Sequence, residues 1–143
     1  MQSVELQSEV ERYREATGGK QVSPNKIDLA DGAELLVAVP GEAYPRDFTS
    51  SNGARAAADH CDTQYSGWFC AYSKSGYQGT VLQWYRCDTY TVPFGSGGSW
   101  INDQTKGQIA RMYSPAGNLI FTTYAYDSDV SGNWLPVHTV KLC

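Results

Sequence analysis

The chain is short of the features that mark several large functional classes. No apolar run approaches the ~20 residues that cross a bilayer, so no membrane partner is expected. Basic residues are too few for a general nucleic-acid surface: 11 Lys and Arg stand against 15 Asp and Glu, for a net charge of -4 and a pI near 5.0. Displacing phosphate counterions takes a basic face, and here the basic residues are scattered. There is no Gly-x-Ser-x-Gly elbow, no His-Glu-x-x-His and no phosphate loop ending in Gly-Lys-Ser/Thr. The two histidines, His60 and His138, are far apart, and neither has a nucleophile at a recognisable spacing. An enzyme is therefore not expected.

Cysteine is missing from the first 60 positions and then appears as Cys61, Cys70, Cys87 and Cys143. Four cysteines in a small segment point to two disulfides in an oxidising compartment, and hence to a secreted, extracellular protein. Three pairings are open from sequence alone. Zinc is the rival reading, with no Cys-x-x-Cys pair to support it. The opening Met1-Gln2-Ser3-Val4-Glu5 has neither a signal-peptide nor a lipidation pattern, and reads as an expression start or as a mature end whose leader is gone. Only 18% of residues are charged, while 14 Gly, 10 Tyr and 4 Trp suit a turn-rich β-protein with an aromatic core.

Along the chain, Leu6, Val10 and Tyr13 fall at helical spacing, which predicts an amphipathic helix over 2–16 that stops at Gly18-Gly19. Residues 20–39 read as a hairpin turning at Asp31-Gly32. Residues 40–58, with Pro40-Gly41, Pro45 and Ser50-Ser51-Asn52-Gly53, have the composition of a linker. The division is thus 1–58, an extension of helix, hairpin and linker, and 59–143, a separate domain expected to fold alone. Short aromatic and β-branched runs at 68–73, 80–86, 89–93, 108–113, 118–125 and 136–142 predict a mainly β sandwich of two Greek-key motifs. Gly95-Ser96-Gly97-Gly98-Ser99 reads as a flexible connection between them.

The segment Trp68-Phe69-Cys70-Ala71-Tyr72-Ser73-Lys74-Ser75-Gly76-Tyr77-Gln78-Gly79 sets one aromatic five residues before another and a glycine two beyond. In a folded-over hairpin, Tyr72 and Tyr77 can stack while Gly79 takes a conformation closed to side chains. That spacing resembles the Greek-key signature of the βγ-crystallin superfamily. With the Cys61 to Cys70 segment, Trp84-Tyr85-Arg86-Cys87 and the closing Val140-Lys141-Leu142-Cys143, it resembles the secreted actinobacterial proteins of the Streptomyces metalloproteinase-inhibitor family. The resemblance covers about residues 59–143. It implies a βγ-crystallin-like domain with an N-terminal helix-and-hairpin extension, the pairs Cys61–Cys70 and Cys87–Cys143, and a monomeric peptidase inhibitor whose partner is an extracellular metalloproteinase. The chain departs from the family in that Cys87 and Cys143 close no short loop, so no reactive bond is carried over. In the second motif, Tyr113 matches Tyr72, but Asn118 and Ile120 replace the second tyrosine and the glycine, which predicts a hairpin folded differently.

The inhibitory contact is placed on Thr91, Val92, Pro93 and Phe94, an extended apolar run between Cys87 and the glycine-rich stretch; the competing reading makes Val92 and Phe94 core residues of an edge strand. Calcium-binding βγ-crystallins follow two Asn/Asp with hydroxyl residues. Asn102 and Asp103 fit that pattern, but Lys106 and Gly107 do not, so no cofactor is expected and calcium is a weak candidate there. The alternative to an inhibitor is a noncatalytic extracellular module for glycan, protein or calcium, or a crystallin-type antifungal toxin. Its support is the acidic loop 127–134, with Trp134 as a surface ring beside Tyr124 and Tyr126. Most other aromatics are assigned to the core.

Overall fold

A computed structural model describes residues 2–47, 60–61 and 66–143, with the backbone alone at Gln2, Ser3 and Asp31. The linker stretch 48–58 and the boundary near 58 fall almost wholly outside the described residues. Helix α1 (Gln2–Thr17) buries Leu6, Val10 and Tyr13, the spacing that predicts it, and ends where the Gly18 N–H bonds the Arg14 carbonyl at 2.8 Å. Three short strands follow: β1 (Lys20–Ser23), β2 (Lys26–Asp28) and β3 (Glu34–Leu36). The β2–β3 hairpin forms as expected, but its turn is a 3-10 helix over Ala30–Gly32 and not a two-residue loop. An unexpected hairpin, β1–β2, precedes it.

The remaining strands are β4 (Phe69–Lys74), β5 (Gln78–Trp84), β6 (Thr89–Thr91), β7 (Gly97–Asn102), β8 (Ile109–Tyr113), β9 (Leu119–Tyr124), β10 (Asp127–Asn133) and β11 (Thr139–Leu142). They complete two antiparallel sheets, one of seven strands in the order β1-β2-β3-β5-β4-β7-β10 and one of four in the order β6-β11-β8-β9. The architecture is mainly β and consistent with a β-sandwich. Six strands lie where short β-prone runs predict them. Two do not: the glycine-rich connection is β7, and the acidic loop is β10. In β7 the glycines serve close packing. A Cβ on Gly98 would come within 2.4 Å of both the Trp134 ring and the Tyr72 carbonyl oxygen, so this position admits no side chain.

The hairpin between β4 and β5 has the expected geometry. Tyr72 and Tyr77 meet edge to face at 5.7 Å, Gly79 has φ +86, and a Cβ there would collide with Ser73 Oγ at 2.3 Å. The β8–β9 connection folds differently, as a turn closed by Ser114 N–H to the Asn118 carbonyl at 2.9 Å. Both disulfides, Cys61–Cys70 and Cys87–Cys143, pair as the resemblance implies.

The N-terminal segment is not an accessory layer. Strand β3 pairs with β5, so β1 to β3 extend the same sheet. Leu6, Val10, Tyr13, Ile27 and Leu35 share one continuous core with Phe69, Leu82, Trp84, Phe94, Trp134 and Leu142. Cysteine placement and composition mark where disulfides are, not where a core ends.

Two measurements follow. Ile27→Ala, at a fully buried position, should cost about 2–5 kcal/mol in a urea titration of the whole chain. Residues 60–143 made alone with both disulfides intact should lack a cooperative transition and bind a hydrophobic dye, because Leu82, Trp84 and Phe94 lose their covering. A sharp native-like transition in that fragment would contradict the shared core.

Candidate functional site

Strands β9 and β10 run along the same flank of the molecule. Each ends a sheet, and only Ala125 and Tyr126 join them. The β8–β9 register sets Phe121 opposite Met112 and Thr123 opposite Ala110, so these four side chains face the interior. Thr122 and Tyr124, opposite Arg111 and Ile109, face outward. At this rim the covering runs out, and Phe121 remains half exposed although it meets the Trp100 ring at 6.1 Å. A slot of about 130 Å³ opens between the strands, floored by Trp100, Trp134 and Val137 and edged by Ile120, Phe121 and Asp129.

The flank is apolar for its position. Leu119, Ile120, Phe121, Tyr124, Tyr126, Val130 and Leu135 are all exposed, with Tyr124 at 64% and Leu135 at 70%. All seven fall between residues 119 and 135, on β9, the turn, β10 and the loop after it. The residues foreseen for the surface distribute unevenly. Tyr124 and Tyr126 are exposed as expected, whereas Trp134 is 1% exposed and donates its indole N–H to the Tyr72 carbonyl at 2.8 Å. Trp134 is thus a core pin and not the surface ring expected beside Tyr124 and Tyr126.

The 91–94 segment does not protrude. Strand β6 pairs with β11 through Thr91 and Thr139, the Val92 N–H bonds the His138 carbonyl at 2.9 Å, and Val92 and Phe94 are buried, the latter 6% exposed. The Phe94 ring contacts Tyr13 at 5.9 Å and Trp134 at 6.4 Å. Thr91 and Pro93 are half-buried. The core reading of Val92 and Phe94 therefore replaces the contact reading. Pro93 lies on a cleft of about 730 Å³ whose facing wall is α1, with Glu9, Arg12 and Tyr13. That cleft offers little to a ligand: Arg12 pairs with Glu9 at 2.9 Å, and its aromatic residues, Tyr13 and Phe94, are buried.

The calcium candidates are engaged in internal bonds. Asp103 accepts from the Ser66 N–H at 2.7 Å and from Ser66 Oγ at 2.9 Å. Asn102 donates to the Thr123 carbonyl at 3.2 Å and accepts from Gln104 Nε2 at 2.9 Å. Both side chains pin loops to the sheet. Among the described residues no group of three or more His, Cys, Asp or Glu gathers as a metal site.

A polar cluster not foreseen from sequence lies on the outer face of the larger sheet. Glu34 accepts from Gln83 Nε2 at 2.9 Å and pairs with Lys26 at 2.9 Å and with His60 at 3.1 Å. The His60 ring stacks on Trp68 at 3.7 Å. Both neighbouring sulfurs are tied in the Cys61–Cys70 bond, so the cluster activates no thiol. Burial pushes the Glu34 carboxyl up, but the hydrogen bond and charge of Lys26, joined by His60, outweigh it and hold the group below the usual carboxylate range.

A lowered value means that folded Glu34 binds its proton less readily than the unfolded chain does. The stability it adds is present above the ordinary carboxylate value of about 4.3 and is lost as pH falls through the lowered one. Glu34→Gln should therefore lower the urea midpoint at neutral pH and lose less stability than the parent on acidification. Parallel acid limbs for the two proteins would remove Glu34 from this account.

No family model matches the chain, and no similar curated protein or solved structure was found.

Proposed function

We propose that this chain is a noncatalytic extracellular protein that acts by binding another protein through the β9–β10 flank. The partner proposed is an extracellular proteinase, on the resemblance to the Streptomyces metalloproteinase-inhibitor family. The observation that carries the reading is the run of exposed apolar side chains on two adjacent edge strands, with Tyr124 and Tyr126 among them. Tyrosine offers large contact area with few rotatable bonds, which suits it to an interface.

Several features support the type of protein proposed. The Tyr72–Tyr77 contact and the positive φ of Gly79 are those asked of a βγ-crystallin Greek-key hairpin. Two disulfides suit an oxidising, extracellular setting, and no helix among the described residues is long and apolar enough to cross a membrane. A stapled scaffold holds its contact surface in place before binding, so less conformational freedom is lost on association. Burial of Val92 and Phe94 moves the proposed contact from 91–94 to 119–126, while an extended edge strand remains what a proteinase cleft pairs with when it takes a substrate-like chain.

A panel of metallo-, serine and cysteine proteinases assayed with the full chain tests this reading. One of them should be inhibited, and Tyr124→Ala should weaken that inhibition by more than tenfold, on the order of 2 kcal/mol, with the unfolding midpoint unchanged because the ring is exposed. Phe94→Ala should do the reverse, with a stability loss of about 3–5 kcal/mol. Inhibition insensitive to Tyr124→Ala would move the contact off this flank, and no inhibition of any class would remove the proteinase as partner.

A further inference from the structure

The pairing register of β10 shifts between Asp129 and Gly132, where the strand passes the aromatic slot. A shift of this kind re-aims a side chain. Asp129 Oδ1 accepts the Ser131 N–H at 3.0 Å, which fixes the carboxylate, and Asp129 lines the slot together with Trp100, Phe121, Trp134 and Met112. Among the described residues no cation pairs with Asp129, and no lysine or arginine lines the slot.

Gly132 leaves one wall of the slot open. A Cβ there would lie 3.5 Å from Asp129 Oδ2, 3.4 Å from Trp100 Cδ1 and 3.5 Å from Trp100 Nε1. Carboxylate oxygen and indole edge therefore border the same point. These are ordinary contact distances and the φ of Gly132 is not positive, so neither collision nor backbone strain demands a glycine at this position.

The geometry points to this slot as the seat of an alkylammonium group, the side-chain end of a lysine on the protein that docks at the β9–β10 flank. The inference rests on that docking proposal and names the anchor the partner inserts.

Charge, size and position agree on this occupant. Aromatic faces carry negative potential, and with one carboxylate beside them they attract an organic cation and repel an anion. A neutral apolar group would cover Asp129 without giving it a partner, which costs free energy. An apolar cavity of about 150 Å³ accepts a benzene molecule, so a slot of about 130 Å³ has room for roughly five heavy atoms. The methylene chain and ammonium of lysine match that, whereas arginine, with a longer side chain and a planar head, exceeds it. The slot is edged by the half-exposed ring of Phe121 and by Ile120, both on the flank, so a side chain entering it belongs to whatever covers β9.

Titrating the full chain with Nα-acetyl-lysine N-methylamide, followed through the indole N–H signals of Trp100 and Trp134 in a proton–nitrogen correlation spectrum, tests the slot. The shifts should saturate with a dissociation constant on the order of a few millimolar, the range open to a fragment of this size. The norleucine analogue, which lacks the ammonium, should bind at least tenfold more weakly. Asp129→Asn should weaken the lysine compound about tenfold with an unchanged unfolding midpoint, because asparagine still accepts the Ser131 N–H. Asp127→Asn removes the same charge outside the slot and should change the affinity less than twofold. Gly132→Ala should abolish binding by filling the wall between Asp129 and Trp100. Indole signals that do not move overturn the inference. So does equal affinity for the norleucine analogue, which makes the slot merely apolar, or tighter binding of choline, which makes a free quaternary amine its ligand. Proteinase inhibition unaffected by Asp129→Asn keeps the docking flank and removes the lysine anchor. Lysine binding that follows these variants in a chain that inhibits nothing supports the slot and removes the proteinase.

Discussion

A seven-stranded sheet cannot bury its inner face against one of four strands. Strands β1 to β3 are the excess, and Ile27 and Leu35 would face water there without another layer. Helix α1 supplies that layer, laying Leu6, Val10 and Tyr13 into the same core and bringing the Tyr13 ring against Phe94. The Tyr90 hydroxyl, from the smaller sheet, reaches across to donate to the Ala30 carbonyl. Phe94 is held by an N-terminal helix on one side and by Trp134 on the other, so of the two readings weighed for 91–94 from sequence, contact and core, burial supports the core one for Val92 and Phe94. The disulfides act elsewhere, at the loop over the outer face and at the last strand, and limit the unfolded chain without defining where the core stops.

Local signals were legible in the sequence. The helical spacing of Leu6, Val10 and Tyr13, the Tyr72, Tyr77 and Gly79 pattern and six of the β-prone runs all depend on neighbours a few positions away. The misreadings share a cause in contacts between distant segments. Gly97 and Gly98 read as slack because nothing nearby says that the Trp134 ring and the Tyr72 carbonyl press on that backbone from 36 and 26 positions away. Trp134 itself reads as exposed because its neighbours are polar, yet its indole is satisfied by a carbonyl in β4. The clue available in sequence was the pairing of a glycine-rich stretch with two tryptophans, Trp100 and Trp134, that needed backbone to pack on.

The candidate site was less legible than the fold. Tyr124 and Tyr126 were picked out, but with the wrong companion, Trp134. Leu119, Ile120 and Phe121 were read as ordinary strand residues, and alternation gives no warning that a strand is at an edge. Edge position is a property of strand order, which here depends on β8 lying between β9 and β11. The Glu34 cluster was illegible for the same reason, since Lys26, Gln83 and His60 reach one carboxylate only after three strands and a loop have been set side by side.

Two open sheets that are not closed into a barrel must have edges, and here one edge of each, β9 and β10, adjoins the other in the chain. Solubility alone would favour charge on both edges there. Strand β10 follows that rule, with Asp127 and Asp129, while β9, two residues earlier in the chain, carries no charge and keeps Leu, Ile, Phe and Tyr. The exposed half of Phe121 borders the slot that it shares with Trp100 and Met112, so the monomer covers this ring only in part. Tyr124 and Leu135 are exposed more fully still, at 64% and 70%. Side chains that raise the cost of standing alone in water make physical sense when a surface outside the monomer covers them, and the contrast in charge between the two strands agrees with the docking proposed at β9.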